Sequence, residues 1–320
     1  MLNLQSLNLF VVAVRAGSFS AAGRQIGLSP ASVSRHINLL EDELGIKLIN
    51  RNSRSISLTE AGQEYFERGV KILTEISSAQ EALEKFKGNT RGRLRVHSRI
   101  SIGEFVIAPA LHLFLSKYPS LTVELMLSND TAVDIVRHNI DVDIRIGKLD
   151  DSALIVRQMV KGERIVCASP DYLRRRGTPL HPNELPQHSC LAYRPNLADS
   201  LWRFRGPDGA LIELKAGGNL QTDNGFVLRS CLLQGAGIAL MPDWSVSREL
   251  KNGQIVRIFE AYSVTPNEFE NGVFAVYQSS RHDSPKLQAF LDFVAKLFKE
   301  LAVPGSTAER SQISASLDAS

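Results

Sequence analysis

Hydrophobic positions change their spacing twice along the chain. In residues 1–58 they recur every three or four residues, as on helices, and then alternate over a short stretch. Residues 59–87 keep a narrower four-three repeat within one polar segment. After a polar, glycine-bounded stretch at 88–92, short apolar runs alternate with amphipathic segments in residues 93–301. We therefore expect an α-rich N-terminal part, one long helix, a hinge, and an α/β part with a parallel sheet.

The stretch from Ser18 to Leu44 predicts two helices joined by a tight turn. Gly27 fits the left-handed end of the first helix, and Ser29 before Pro30 fits the start of the second. One side of the second helix is apolar, whereas the other carries hydroxyls and cations that a helix in the DNA major groove would present. An ordinary helical hairpin with a solvated polar face is the alternative. The DNA contacts expected from this helix are Ser29, Pro30, Ser32, Ser34, Arg35 and His36.

Residues 47–58 alternate apolar and polar side chains, which predicts a short two-stranded wing. Arg51 and Arg54 lie near its tip, where they could reach phosphates or a minor groove. The formal charge of +3 is too small to indicate a nucleic-acid partner by itself. The first sixty residues are nevertheless locally basic. Their cations include Arg15, Arg24, Arg35, Lys47, Arg51 and Arg54.

The long segment that follows has Thr59 as a plausible N-cap. Its apolar residues are spaced as in the seam of a coiled coil, so we expect it to dimerise. The alternative is a helix packed only on its own domain, although such a helix usually has a wider apolar stripe. The expected dimer contacts are Tyr65, Ile72, Ile76, Ala79, Leu83 and Phe86.

Targeting and redox signals are weak. The N-terminus has helical apolar spacing instead of a charged leader, and no apolar run reaches bilayer length, so we expect a cytoplasmic protein without a membrane partner. Cys167, Cys190 and Cys231 lack metal or CxxC spacing and are expected to be buried thiols, with a redox pair of Cys190 and Cys231 as the alternative. The last residues, 302–320, are small and polar, which predicts a disordered tail.

The run SFSAAGRQIGLSPASVSRHINLLEDELGIKLINRNSRSISLTEAG closely resembles the winged helix-turn-helix of the LysR-type transcriptional regulators. Ile49 stands where that family usually has phenylalanine, and Pro30 where it often has glutamine. Residues 93–301 resemble the effector domain of the same family through the LRV strand, DVDIRIG, ASPDYL and GAGIALMP. The resemblance implies a two-lobed fold like a type 2 periplasmic binding protein. Lobe I would span about 93–160 and 268–301, and lobe II about 161–267.

Ligands of open α/β sheets bind at the carboxyl ends of strands, so the effector should lie between the lobes. The turn after the first strand precedes a helix N-terminus, which favours an anion. The resemblance also implies that this turn touches the effector, which we expect to be a small organic anion. The expected contacts are Ser98, Arg99, Ile100, Ser101, Ser128, Asn129, Arg145, Phe204, Thr222 and Asp223.

Each of these positions also has a structural explanation. Ser98 and Ser101 could cap the helix, and Arg145 could pair with Asp141 or Asp143. Phe204 could belong to the core, and Asp223 could cap the helix that starts at Asn224.

The sequence thus predicts a LysR-type transcriptional regulator that binds double-stranded DNA as a homodimer or homotetramer. The resemblance implies control by a small-molecule effector and contact with RNA polymerase when the regulator activates. No metal, cofactor or catalytic residue is expected. A solute-binding protein and a cofactor-free enzyme, both built on the C-terminal lobes, are the alternatives. The basic N-terminal part argues against the first, and the missing nucleophile and metal motifs argue against the second.

Overall fold

The structure is a computed structural model that describes residues 3–52, 55–84, 90–130, 133–147, 154–194, 200–266 and 272–301. Its internal contacts divide the chain into two units. Unit 1 comprises Met1–Asn89, Asp134–Ile140 and Ser280–Pro285, and unit 2 comprises Thr90–Val133, Asp141–Ser279 and Lys286–Ser320. Arg54, Phe86 and the predicted tail at 302–320 lie outside the described residues.

The N-terminal elements of unit 1 follow the predicted order. They are α1 (Leu4–Ala16), α2 (Phe19–Ile26), α3 (Pro30–Leu44), β1 (Ile49–Asn52), β2 (Ser55–Leu58) and α4 (Glu60–Glu84). Gly27 ends α2 in the left-handed conformation with φ 73°. Ser29 Oγ accepts from the Ser32 amide at 3.1 Å, and Thr59 Oγ1 accepts from the Gly62 amide at 2.9 Å. The predicted helix ends, and the antiparallel wing of β1 and β2, are confirmed.

The core of this region lies where α1, α2 and α3 meet. Phe10 and Ala22 have no exposed surface, and Leu48 and Ile49 bring the wing onto the same core. Gly62 packs so closely on the wing that a Cβ there would lie 1.9 Å from the Leu48 carbonyl oxygen. Only glycine therefore allows α4 to begin against the wing.

Unit 2 contains the remaining strands and the helices that cover them. The strands are β3 (Gly92–Arg99), β4 (Leu121–Ser128), β5 (Val142–Ile146), β6 (Leu154–Lys161), β7 (Arg164–Ala168), β8 (Cys190–Tyr193), β9 (Leu201–Arg205), β10 (Leu211–Lys215), β11 (Gln221–Thr222), β12 (Ile238–Pro242), β13 (Val256–Ile258), β14 (Ser263–Thr265) and β15 (Gly272–Gln278). The helices are α5 (Ile100–Ile102), α6 (Leu111–Lys117), α7 (Pro170–Arg176), α8 (Gly225–Leu233), α9 (Ser247–Lys251) and α10 (Pro285–Leu301).

Among the described residues these strands form two sheets. The first has the order β4-β3-β5-β15-β6, and the second has the order β10-β9-β14-β7-β12-β8-β11, with β13 also paired to β7. We call them, with the helices packed on each, lobe I and lobe II. In lobe I, β3 is parallel to β4 and β5, but β15 is antiparallel to β5 and β6. In lobe II, β12 is parallel to β8 and antiparallel to β7.

The expectation of a parallel sheet is therefore wrong, because both sheets are mixed. The chain leaves lobe I along β6 and returns along β15, so these two strands pair in opposite directions. The same reversal in lobe II makes β7 antiparallel to β12. This reversal matters for the site described below, since it brings the start of β7 to the edge where β8 and β12 end.

Two predicted helices are also corrected. Residues 102–117 do not form one regular helix, because α5 continues as a π-helix at Gly103–Ile107 and a 3-10 turn at Ala108–Ala110 before α6. Pro109 explains the break, since it lacks an amide hydrogen and its ring crowds the preceding turn. The predicted helix at 131–140 is absent from its described part, where residues 135–139 form turns. Asp134 Oδ1 accepts from the Val136 and Arg137 amides, which competes with helix formation.

One segment, Ile100–Lys117, is long and apolar enough to cross a membrane by length and composition, which corrects the expectation that no such run exists. Ile102, Val106, Ile107 and Phe114 of this segment are buried in the core of lobe I. The apolar residues of Ile100–Lys117 therefore contribute to the core of lobe I.

Candidate DNA-binding and effector sites

The polar side of α3 lies outside the core of unit 1. Val33, Ile37 and Leu40 are buried, whereas Arg35 is exposed and Ser34 is partly exposed. Ser29 is used as the N-cap, and its hydroxyl also lies 2.9 Å from that of Ser32. His36 Nδ1 lies 2.8 Å from the Ser32 carbonyl oxygen. Ser29, Ser32 and His36 thus form the hydrogen bonds at the start of α3, and Arg35 lies exposed on the next turn. Pro30 is exposed at the start of the same helix.

A buried carboxylate fixes the wing against α3. Glu41 Oε1 accepts from the Leu48 and Ile49 amides at 2.9 and 3.1 Å, and Oε2 accepts from Lys47 Nζ at 2.8 Å. Burial disfavours the charged form, but the bonds from Lys47 and the two amides prevail and lower the pKa of Glu41. Arg51 lies on β1, opposite Ile56 in the wing.

Helix α4 carries two apolar stripes. Phe66 and Val70 are buried against the core of unit 1, and Gly69 lies against Leu7 of α1. The ring of Tyr65 meets Phe10 edge-on at 5.4 Å, so Tyr65 belongs to this inner stripe instead of the predicted dimer seam.

The outer stripe of α4 contains the rest of the predicted seam that the structure describes. Ile72 is 41% exposed and Leu83 is 62% exposed, Ala79 is exposed, and Ile76 is partly exposed. The inner stripe of α4 thus packs on its own domain, and the outer stripe is the side to which the hypothesis of a dimer seam applies.

The carboxyl ends of several strands in unit 2 meet between its two lobes. In lobe I, Arg99 at the end of β3 pairs with Ser128 at the end of β4. In lobe II, Thr222 at the end of β11 pairs with Tyr193 at the end of β8. Two hydrogen bonds join these edges, from Arg99 Nη2 to Tyr193 Oη at 3.4 Å and from Asn129 Nδ2 to the Asp223 carbonyl at 3.1 Å. Arg99 also donates to the carbonyl oxygen of Asn129.

A second guanidinium lies near this junction. Arg164 begins β7 opposite Pro242, which ends β12, so it lies at the same edge as Tyr193. Burial lowers the pKa of Arg164, Tyr193 and Asp243 oppose that change, and nearby Arg99 adds to it. Guanidinium groups from both lobes, those of Arg99 and Arg164, therefore lie near the Tyr193 side chain at this junction.

Several predicted effector contacts have internal partners. Arg145 donates to Asp143 and, at 2.8 Å, to the Val133 carbonyl, as in the structural alternative. His97 joins Asp143 to Ser128, with its two ring nitrogens 2.7 Å from Asp143 Oδ1 and 3.0 Å from Ser128 Oγ. The Ser128 hydroxyl also donates to Asp130 Oδ2 at 2.9 Å. The hydrogen-bonding capacity of Ser128 is thus already used.

Two predicted contacts are buried in the structure. Phe204 is 0% exposed and packs edge-on against Phe259 and Tyr262 in the core of lobe II, as its alternative foresaw. Ser98 is equally buried and donates to the Arg99 carbonyl at 3.2 Å. Neither side chain is available to a ligand in this structure, so both predictions are corrected.

The remaining predicted contacts lie at the starts of α5 and α8. Ile100 and Ser101 are partly exposed, and Ser101 Cβ would lie 3.5 Å from a Cβ added to Gly225. Asn224, not Asp223, caps α8, accepting from the Phe226 and Val227 amides. The Thr222 hydroxyl accepts from the Asn224 amide at 3.1 Å.

Sequence reasoning missed Tyr193 and Arg164. Tyr193 ends β8, so it could have been predicted from the tendency of ligands to bind at the carboxyl ends of strands. Arg164 begins β7, and a parallel sheet would have put it at the opposite edge.

The three cysteines are free; Cys167 and Cys190 are buried, and burial raises the pKa of the Cys190 thiol to about 11. Within the part of the chain that the structure describes, no three His, Cys, Asp or Glu side chains group as a metal site.

Family descriptions match both parts of the chain. Residues 4–63 match "Bacterial regulatory helix-turn-helix protein, lysR family", and residues 87–299 match "LysR substrate binding domain". Together the two matches cover the helix pair, the wing and the two lobes.

Curated relatives and solved structures agree with these matches. The HTH-type transcriptional regulator DmlR of Escherichia coli (strain K12) is 33% identical over 300 residues, which cover 93% of this chain and 95% of that protein. The HTH-type transcriptional activator TtdR of the same strain is 32% identical over 292 residues, covering 91% and 92%. Both names denote transcriptional regulators, not enzymes.

The structure of CrgA, a LysR-type transcriptional regulator from Neisseria meningitidis, superposes with a TM-score of 0.59 at 31% identity, covering 94% of this chain and 100% of that one. The full-length structure of AphB, a Vibrio cholerae virulence activator, gives 0.57 at 30% identity, covering 92% and 99%. With its helix pair, wing and two lobes matched along nearly their whole length, the chain belongs to the LysR family of transcriptional regulators.

Proposed function

We propose that this regulator is controlled by a small organic anion held between the strand ends of lobe I and lobe II. Two observations carry the proposal: Arg99 of lobe I donates to the Tyr193 hydroxyl of lobe II, and the strand pairing of lobe II brings Arg164 to the same edge. A carboxylate between them would receive charge-assisted hydrogen bonds from both guanidinium groups. Asn129, whose side chain joins the two lobes, would bind a further oxygen of the same ligand.

The anion would act by changing the balance between lobe arrangements. In its absence two hydrogen bonds hold the junction, whereas the like charges of Arg99 and Arg164 repel each other across it. An anion neutralises that repulsion and so favours the arrangement in which both lobes contact it. The direction of the effect on transcription, and any contact with RNA polymerase during activation, would follow from that arrangement.

DNA binding is assigned to α3 and the wing. Ser34 and Arg35 would read base edges, with Ser29, Pro30, Ser32 and His36 shaping the start of the helix. Arg51 and Arg54 of the wing would contact the backbone. Pairing through Ile72, Ile76, Ala79 and Leu83 of the outer stripe would let two such helices bind two half-sites.

A homotetramer would follow from a second contact between copies. The exposed apolar side chains of Leu113, Met126 and Leu127 in lobe I are candidates for such a contact. Access to chromosomal DNA supports a cytoplasmic location.

Thermal shift measurements on the full-length protein with a panel of small mono- and dicarboxylates test the effector proposal. A ligand at a hundred times its dissociation constant should add ~2.7 kcal/mol of stability. Arg99→Ala should abolish that stabilisation, whereas Arg203→Ala, which removes a cation paired with Glu213 on a strand remote from the junction, should preserve it. A carboxylate that stabilises the wild type and Arg99→Ala equally would refute the assignment.

A further inference from the structure

Unit 2 contains a concavity whose lining residues differ from those that join the strand ends. Its volume is about 420 Å³, within the ~300–1,000 Å³ common for small-molecule sites. We call it the outer groove. It is lined among others by Phe105, Pro109, Phe226, Arg229, Trp244 and Ser247. None of the residues assigned to the effector anion lines it.

The walls of the outer groove are aromatic and come from both lobes. Phe105 of lobe I and Phe226 of lobe II stack with ring centroids 6.4 Å apart and planes inclined by 20°. Phe226 is 51% exposed, so about half of its surface is in contact with water. Trp244 is nearly buried behind them and meets Phe298 edge-on at 5.8 Å. A flat apolar ligand would remove the exposed face of Phe226 from water.

Two buried polar atoms in the outer groove lack a partner. The guanidinium of Arg229 lies over Phe105 at 5.2 Å and pairs with Glu249, but its Nε is buried without an acceptor. Ser247 is 1% exposed, and its hydroxyl is also buried without a partner. Buried donors that make no hydrogen bond are costly, so each of them calls for an acceptor. The bond that Glu249 accepts comes from Arg229 Nη2, which leaves Nε without an acceptor.

The backbone around the outer groove is irregular as well. Glu104 and Phe105 lie on the π-helix Gly103–Ile107, a rare geometry that recurs at functional sites. Exposed Glu104 and Arg248 carry opposite charges at the rim, so the groove has no excess of either sign to hold a polyanion.

We propose that the outer groove binds a second small molecule, a planar aromatic compound with one acidic group. Its ring would lie against Phe226 and Phe105, and its acidic group would accept from Arg229 Nε and the Ser247 hydroxyl. This site is separate from the proposed effector site and does not depend on it. Because its walls belong to both lobes, its ligand would bias the same lobe arrangement from outside the junction.

The probe for this test is anilinonaphthalene sulfonate, an aromatic ring system with one acid whose fluorescence is excited by energy transfer from tryptophan. The chain has two tryptophans, and Trp202 lies in the core of lobe II. A full-length Trp202→Phe protein leaves Trp244, in the groove wall, as the only donor. We expect saturable energy transfer to the probe, and displacement of the probe by 2-naphthoate but not by the neutral 2-naphthylmethanol at tenfold higher concentration.

In that background, Ser247→Ala and Phe226→Ser should each weaken probe binding at least tenfold, with circular dichroism melts confirming that both variants fold. Leu180→Ser, which alters an 84% exposed side chain outside the groove, should leave binding unchanged. Arg99→Ala should also leave it unchanged, which separates this site from the effector junction. Equal affinity in Phe226→Ser, or equal displacement by the neutral alcohol, would overturn the proposal.

Discussion

The side-chain amide of Asn129 donates to the main-chain carbonyl of Asp223 over 3.1 Å, and these two residues belong to different lobes of unit 2. The bond ties the end of β4 to the residue that follows β11. Asn129→Ala would remove one neutral hydrogen bond between the lobes, worth ~0.5–1.5 kcal/mol. We therefore expect effector affinity to fall ~2–12-fold, as titration calorimetry would measure, with operator binding unchanged.

The control for that change is Asn252→Ala, because the side chain of Asn252 bonds to Gln254 within its own surface turn. If both variants bound effector like the wild type, the contact between Asn129 and Asp223 would have no part in the response.

Arg35→Ala should weaken binding to the specific operator by ~1–3 kcal/mol, because an exposed arginine on the polar side of α3 can contact a base edge. Binding to random DNA should change much less. Arg68→Ala, which removes an exposed cation paired with Glu64 on α4, is the matched control. Competition gel shifts measure both affinities, and an equal loss on operator and random DNA would identify Arg35 as a backbone contact instead.

Ile72→Glu should dissociate the dimer while leaving the monomer folded, because Ile72 is exposed on the outer stripe of α4. Two buried like charges would face each other in the pair. Lys71→Glu changes the adjacent exposed residue and should keep the dimer, so it controls for charge alone. Sedimentation velocity distinguishes the two, and an intact dimer of folded Ile72→Glu would move the dimer contact elsewhere.

Glu41→Gln should loosen the wing at neutral pH. The folded pKa of Glu41 is lowered, so its stabilisation is complete above the unfolded value of ~4.3 and is lost as pH falls through the folded value. Loss of a charged acceptor of this kind costs ~1–3 kcal/mol. Hydrogen exchange at the Leu48 and Ile49 amides should accelerate in the variant at pH 7, and the difference should shrink in acid.

Asp42→Asn serves as the control for Glu41→Gln. Asp42 is exposed, and its Oδ1 lies 3.9 Å from Lys47 Nζ, at the outer limit of an ion pair. Unchanged amide protection in Glu41→Gln would mean that the carboxylate does not hold the wing.

Asp243→Asn should stabilise unit 2 above pH 6. Burial, with Glu163 adding to it, raises the pKa of Asp243 to about 6, although the Trp244 amide and Arg164 oppose the shift. A folded pKa above the unfolded value of ~3.9 gives stability that is present below pH ~4 and lost as pH rises towards 6. Melting temperatures of the wild type and Asp243→Asn should therefore be similar near pH 4, and the variant should melt at the higher temperature between pH 6 and 8. Asp292→Asn, at an exposed ion pair, should follow the wild type.

The sequence predicted the N-terminal elements closely because their ends depend on local chemistry. Gly27, Ser29 and Thr59 act through neighbours within a few residues, and each has the predicted role. The inner stripe of α4 was missed because Phe66 and Val70 face α1, which is distant in sequence. Tyr65 fits either stripe by spacing alone, and only its contact with Phe10 decides between them.

The effector region was predicted less well, for a topological reason. The positions of Arg99 and Asn129 follow from the carboxyl ends of parallel strands, which sequence alternation reveals. The position of Arg164 depends on β7 running against β12, and that direction is set by a pairing of distant segments. Phe204 and Ser98 lie at the expected strands, but their burial depends on which face each strand turns inward.

The clamp formed by Glu41 makes α3 and the wing move as one body. A single carboxylate holds two wing amides and the Lys47 ammonium, so we expect the angle between α3 and the wing to vary little from one operator to another. Operators with unusual half-site spacing must then be accommodated by bending the DNA or by rearranging the copies of the chain. It also follows that this head is a transferable module: exchanging it whole, with its clamp, should carry base preference to another regulator of the same design.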